Sequence, residues 1–149
     1  MDNRQLDTRK NWMGVLARAG SVPLERSYAG LTCKPDYDFL RPPEVGMVMV
    51  QGRADGNGKR FNLGEMTMTR CTVKLADGAV GHGYVAGRDK RHAELAAVFD
   101  ALLQTDIQSR IMNEIIRPLA EAQKQRRSEK AEKTAATRVN FFTMVRGED

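Results

Sequence analysis

The sequence holds two histidines, His82 and His92, to act as the base that a hydroxyl or thiol nucleophile needs. Neither lies in an H-x-x-x-H or H-x-E arrangement, so the spacing gives zinc hydrolysis no support. His82 falls mid-strand and reads as a partly buried, satisfied histidine; His92 falls in a helix first turn and reads as exposed. Gly56-Asn-Gly58-Lys-Arg60 looks like a phosphate-cradling loop only superficially. It lacks the G-x-x-x-x-G-K-[ST] spacing and leads into a strand, so a hairpin turn explains it. Gly87-Arg-Asp-Lys-Arg-His92 offers more. A strand end running into a helix presents free backbone N–H groups and a positive dipole end, with Arg88, Lys90, Arg91 and His92 gathered around it. That suits an anion or an acidic partner residue; the plain alternative, favoured by composition, is a helix start capped by Asp89 with solvated charges. Asn62, Thr67, Thr69 and Arg70 are polar where a strand is ordinarily greasier, which fits a ligand site or an interface. Arg70, Arg88 and His92 are therefore the candidate phosphate- or triphosphate-binding residues. No catalytic residue and no metal-ligand set emerges.

The elements that must position these residues alternate in a simple order. Residues 8–31 read as two short helices, the first with Trp12, Val15, Leu16 and Ala19 on one stripe. The second has Ser21 as its N-cap and Pro23 in its first turn. Pro35, Pro42 and Pro43 forbid a helix through the next stretch, leaving an extended piece at Tyr37 to Arg41. Strands follow at Val45 to Ala54, Glu65 to Leu75 and Ala79 to Ala86, joined by the turn signals Asp55-Gly56-Asn57-Gly58 and Asp77-Gly78. A two-residue turn at Asp77-Gly78 pairs Val73 with His82 and Cys71 with Tyr84, leaving Met66, Met68, Arg70 and Val85 on the opposite face. Both faces are partly apolar, so the sheet wants helices on one side and something else on the other. Leu95, Val98, Phe99, Leu102 and Leu103 then form an amphipathic stripe behind an Asp89 cap. Ile107, Ile111, Ile115 and Leu119 form the buried face of the next helix, which Pro118 bends or interrupts, and the Ala/Glu/Lys/Arg-rich stretch after it reads as helical to about Thr137. The expected fold is α+β: an antiparallel sheet of about four strands (37–86), with helices before it (8–31) and after it (89–137), in one domain spanning 1–149.

The chain has 149 residues, 41% hydrophobic and 29% charged, enough for one core without disulfide or metal staples. The first residues form no secretory signal, and no apolar run approaches the about 18 residues of a membrane span. Cys33 and Cys71 have no metal-ligand spacing and read as small buried hydrophobes. The compartment read by exclusion is the cytoplasm. A net charge of +5 admits nucleic acid, a phosphorylated ligand or an acidic partner surface. No zinc-finger, RRM or KH signature and no aromatic platform accompanies that charge, so a nucleic-acid-binding protein is the remote reading. Lys124, Arg126, Arg127, Lys130, Lys133 and Arg138 read as a solvated helix face rather than a nucleic-acid patch.

The closing residues 138–149 fit that plain picture least. Phe141, Phe142, Met144 and Val145 make an apolar run behind a long charged helix. Such an ending docks on its own sheet or buries itself in another protein. Phe141, Phe142 and Met144 are thus the candidate anchors of a partner interface.

Four segments together resemble one family. They are Phe61-Asn-Leu-Gly-Glu-Met-Thr-Met-Thr-Arg-Cys71, Gly81-His-Gly-Tyr-Val-Ala-Gly-Arg-Asp89, Ala93-Glu-Leu-Ala-Ala97 with Asp100-Ala-Leu-Leu103, and Arg138-Val-Asn-Phe-Phe-Thr-Met-Val-Arg-Gly147. Together with Arg9-Lys-Asn-Trp-Met-Gly-Val-Leu16 they resemble the PhnG family, the G subunit of the bacterial carbon–phosphorus lyase system. The resemblance covers nearly the whole chain. It implies a role in organophosphonate catabolism, as a subunit of a hetero-oligomer with the H, I and J subunits and the ATP-binding L protein. The implied reaction is displacement of the base of a purine nucleoside triphosphate by a phosphonate, giving an α-ribose 1-alkylphosphonate 5-triphosphate. The implied place of this chain is accessory, inactive when isolated, with no cofactor of its own. C–P bond cleavage, with an iron–sulfur cluster and S-adenosylmethionine, belongs by the same resemblance to the J subunit. A purely structural scaffold is the alternative.

Overall fold

The computed structural model describes residues 8–54 and 56–136. Their order is α1 (Arg9–Ala19), α2 (Ser21–Ala29), β1 (Tyr37–Arg53), β2 (Arg60–Leu75), β3 (Val80–Ala86), α3 (Lys90–Leu102), α4 (Gln108–Ile111), a π-helical turn (Met112–Ile116) and α5 (Arg117–Ala136). This is an α+β arrangement with helices before and after an antiparallel sheet. Among the described residues the sheet has three strands in the order β1-β2-β3, where the sequence implied about four. The extended piece at Tyr37 and the strand from Val45 are one continuous edge strand. Pro42 and Pro43 are tolerated there, and the ladder absorbs them in a register shift between Arg41 and Glu44.

The turn between β2 and β3 corrects the expected pairing. Gly78 does carry the positive φ, at 94°, that the Asp77-Gly78 signal implies. The loop is longer than two residues, however: Leu75 N–H donates to Ala79 O at 2.9 Å, and the ladder pairs Lys74 with Val80. Val73 therefore faces Gly81, not His82, and Cys71 faces Gly83, not Tyr84. A slip of one residue exchanges the two faces of a strand. Val85 accordingly joins Thr69, Cys71, Val73 and Leu75 in the interior. His82 and Tyr84 move to the open face, beside Arg70 and Thr72.

α3 lies across the interior face. A Cβ at Gly81 would collide with the Ala97 carbonyl oxygen and the Ala101 nitrogen, and one at Gly83 with the Ala93 carbonyl oxygen. Helix and strand backbones approach this closely because glycine stands on one side and alanine on the other. The expected stripe of Leu95, Val98, Phe99, Leu102 and Leu103 is buried, and so are the alanines between. A helix apolar on all sides must be covered on all sides. α1 and α2 supply the second cover with Trp12, Val15, Leu16, Ala19 and Leu24. Full burial of Phe99 contributes about 1.5–3 kcal/mol.

Smaller corrections follow the same logic of packing over local signal. Gly20, at φ 82°, precedes α2, and Ser21 is already its first helical residue rather than its cap. Cys71 is buried as expected, but Cys33 is exposed. Ile111 and Ile115 are buried, whereas Ile107 is exposed. The π turn sits just before Pro118, with Arg117 N–H reaching back to Met112 O. The widened turn accommodates a residue that lacks the N–H of a regular ladder. α5 is tied to α1 by Gln123 Nε2 donating to Val15 O at 2.9 Å, and its residues 124–135 are exposed.

Candidate functional site

The three basic residues singled out from the sequence do not converge. Arg70 lies on the open face of the sheet, its Nε 2.6 Å from Glu44 Oε1. Arg88 is exposed in the loop between β3 and α3. His92, expected at the surface, is buried under α1, with Nε2 2.8 Å from the Leu16 carbonyl oxygen. A carbonyl only accepts, so Nε2 carries the proton. His82, expected to be partly buried, is instead exposed, with Nδ1 3.1 Å from Thr72 Oγ1.

The start of α3 takes the plain form. Asp89 caps it, accepting from the His92 N–H at 2.8 Å. That backbone bond holds the Asp89 carboxyl below its ordinary value, against a smaller opposing effect of burial and with help from the Ser21 hydroxyl. The helix end is therefore satisfied from within the chain.

A polar centre that the sequence did not reveal lies at Asp100. Its side chain is wholly buried and accepts from Trp12 Nε1 at 2.8 Å, from Arg9 at 2.8 and 3.3 Å, and from the His82 backbone N–H at 2.9 Å. One carboxylate thereby fastens α1 and β3 to α3. A buried charge persists only when paired and hydrogen-bonded in this way. A lone acid inside the run Ala97-Val-Phe-Asp-Ala-Leu-Leu103 is the sequence signal that could have pointed to it. A second polar contact joins β1 to α3, with Tyr37 Oη donating to Glu94 at 2.6 Å. Burial first, and Glu94 second, push the Tyr37 phenol above its ordinary value. Burial also pushes the Cys71 thiol up to about 11, which keeps it protonated and unreactive.

The remaining feature is the far half of the sheet. β3 ends opposite Met68, so beyond Thr67 the strands β1 and β2 pair only with each other. This two-stranded arm closes through the turn around Gly56, which has φ 76°. One of its faces carries Met47 and Met49, continuing from Val45 in the three-stranded part; the other carries Val48 opposite Met66. Nearer the tip, past a register shift after Val50, Phe61 lies over Gly52 and Leu63 is exposed. Met47 and Leu63 are 68% and 67% accessible, far more than large apolar side chains in a packed fold.

The comparisons with known proteins decide the family. The family model described as "Phosphonate metabolism protein PhnG" matches residues 7–147. The chain belongs to the PhnG family. A curated relative from Rhizobium meliloti (strain 1021), named "Alpha-D-ribose 1-methylphosphonate 5-triphosphate synthase subunit PhnG", is 45% identical over 148 residues. That match spans 99% of this chain and 95% of the relative.

In this PhnG-family chain, the candidate anchors Phe141, Phe142 and Met144 lie outside the described residues. Among the described residues, no group of three or more His, Cys, Asp or Glu side chains converges as a metal site would require. No described helix is long and apolar enough to cross a membrane.

Proposed function

We propose that this chain is the G subunit of an α-D-ribose 1-methylphosphonate 5-triphosphate synthase, acting in organophosphonate catabolism in the cytoplasm. In this reading it supports transfer of a phosphonate onto the ribose C1 of a purine nucleoside triphosphate, with release of the base. Its partners are the H, I and J subunits and the ATP-binding L protein. The iron–sulfur cluster and S-adenosylmethionine belong to the J subunit. The observation that carries the reading is near full-length 45% identity to a subunit of that synthase. Its support from the fold is an apolar arm that no other element covers among the described residues. The test is replacement: a strain lacking its own G subunit should regain growth on methylphosphonate as sole phosphorus source when given this chain. Failure to grow, with the chain expressed and folded, rejects the reading. The isolated chain should release no base from ATP in the presence of methylphosphonate.

Within that function, Arg88 is an exposed cation for a neighbouring subunit to complete into an anion site, and Arg70 serves it only by giving up its ion pair with Glu44. His92 is committed to Leu16 and enters only as a support for α3. Changing Arg70 and Arg88 together to Ala in the assembled complex should raise the KM for the nucleoside triphosphate. Unchanged kinetics would leave the chain a structural scaffold.

A further inference from the structure

We propose that the β1–β2 arm is an insertion element: its apolar stem enters a cleft in another subunit of the complex, and Arg53, Lys59 and Arg60 at its tip meet carboxylates at the end of that cleft. The proposal rests on the subunit reading above and adds which part of the chain docks and what the partner surface must look like.

The stem is the first reason. A two-stranded ribbon is marginally stable in water unless something packs on it. This one exposes Met47, Met49, Phe61, Leu63 and Met66, with Val45 exposed at its base. They are not confined to one side. Met47 and Met49 face one way, and Met66 faces the other beside Val48. Among the described residues both edges are open as well, because β1 is the sheet edge and β2 has lost β3 beyond Thr67. A ribbon apolar on two faces and unpaired on two edges is matched by a cleft that surrounds it. A second copy stacked face to face would cover one side only. Four of the eight methionines, Met47, Met49, Met66 and Met68, lie on or beside the arm. Their flexible, polarizable side chains suit a surface that must adapt to a partner.

The tip supplies the charge. Arg53 and Arg60 stand directly opposite each other in the ladder, and Lys59 adjoins them. Like charges in that position are destabilising until an anion lies between them. None of the three has an ion pair among the described residues. An acidic floor to the cleft would match them and fix how far the arm enters.

The test co-expresses the full chain with the H and J subunits and an affinity-tagged I subunit, and measures recovery of the chain with the tag. A stem variant, Met47→Ser/Met49→Ser/Leu63→Ser, should reduce recovery by about tenfold or more, as loss of clustered apolar anchors does. A tip variant, Arg53→Glu/Arg60→Glu, should reduce it less, and the deficit should shrink in high salt. Thermal unfolding of each isolated variant, matching wild type, shows that folding is intact. Loss of the wild-type chain from the tagged complex would defeat the subunit reading itself. Wild-type recovery with an equally well recovered stem variant would defeat the arm alone. A tip variant recovered like wild type at every salt concentration would remove the carboxylate floor. An isolated chain that is dimeric until the stem is changed, with complex recovery unaffected, would assign the arm to a second copy instead.

Discussion

The two halves of one sheet follow the same strand alternation and end in opposite states. In the half nearer the β2–β3 turn, Thr69, Cys71, Val73 and Leu75 lie under α3, and Gly81 and Gly83 let the helix down onto the strand. In the arm, Met47 and Met49 continue that same face in β1 with no described helix above them, and on the opposite face a Cβ at Gly64 would meet nothing. Apolar character alone therefore does not identify the core of this chain. What separates the halves is a covering layer of helices packed on the strands and joined to them through one buried carboxylate, and a substitution should be costly in one half and silent in the other.

The largest effect is expected at Asp100. Replacing it with Ala strands the Trp12 indole N–H and the His82 backbone N–H and releases Arg9, which now reaches the carboxylate at 2.8 Å. Stranding a buried donor costs about 1–3 kcal/mol, and two are stranded while the half-exposed Arg9 returns to water, so chemical denaturation should show a loss of several kcal/mol. A loss below about 1 kcal/mol, the net worth of one ordinary hydrogen bond, would mean that α1 is held by apolar packing alone.

Gly81→Ala should come next. Its Cβ meets backbone atoms of Ala97 and Ala101, which no rotamer change can move aside. Overpacking of this kind costs about 1–3 kcal/mol, and the backbone clash puts the change at the upper end. The same substitution at Gly46 or Gly64, where the space is open, isolates the effect of the helix above.

These two sites also show where the sequence was legible. The strands, the Asp77-Gly78 turn and the Asp89 cap rest on local signals, and local signals are written in neighbouring residues. Loop length is not: Asp-Gly serves a two-residue turn and a longer one, and that ambiguity inverted the reading of His82 and Tyr84. The contacts of Asp100 join residues 88 and 91 positions apart, beyond the reach of any local pattern. His92 misled for a related reason, since a first-turn histidine is exposed only if no other helix covers that end. The family was legible for a different reason. Whole segments such as the Gly81 to Asp89 run matched as text, while their residues one by one named no chemistry.

Asp89 gives a smaller and pH-dependent effect in the covered half. Its folded carboxyl lies below the ordinary value, chiefly through the His92 N–H bond. Its contribution is therefore complete above the ordinary carboxylate value and is lost as pH falls through the lowered folded value. Asp89→Ala should cost about 1 kcal/mol at neutral pH, as losing an N-cap does. Asp89→Asn keeps an acceptor without the charge and should flatten the acid side of the stability profile. A profile unchanged in Asp89→Asn would show that other carboxylates set the acid limit.

The smallest effect is expected in the arm, and it is the sharpest check on the comparison. Met47→Ser and Leu63→Ser remove large apolar side chains, which in the core would cost several kcal/mol by transfer and cavity terms together. Here both side chains are about two-thirds exposed, so little area returns to water on unfolding and no cavity is left. The isolated chain should change by no more than about 0.5 kcal/mol, the usual range for surface positions. Thermal unfolding of wild type and both variants measures this directly. A loss above about 1 kcal/mol in the isolated chain would exceed that range and mean that the arm packs on some part of its own chain. Its apolar faces would then belong to the core after all, and the two halves of the sheet would no longer differ in kind.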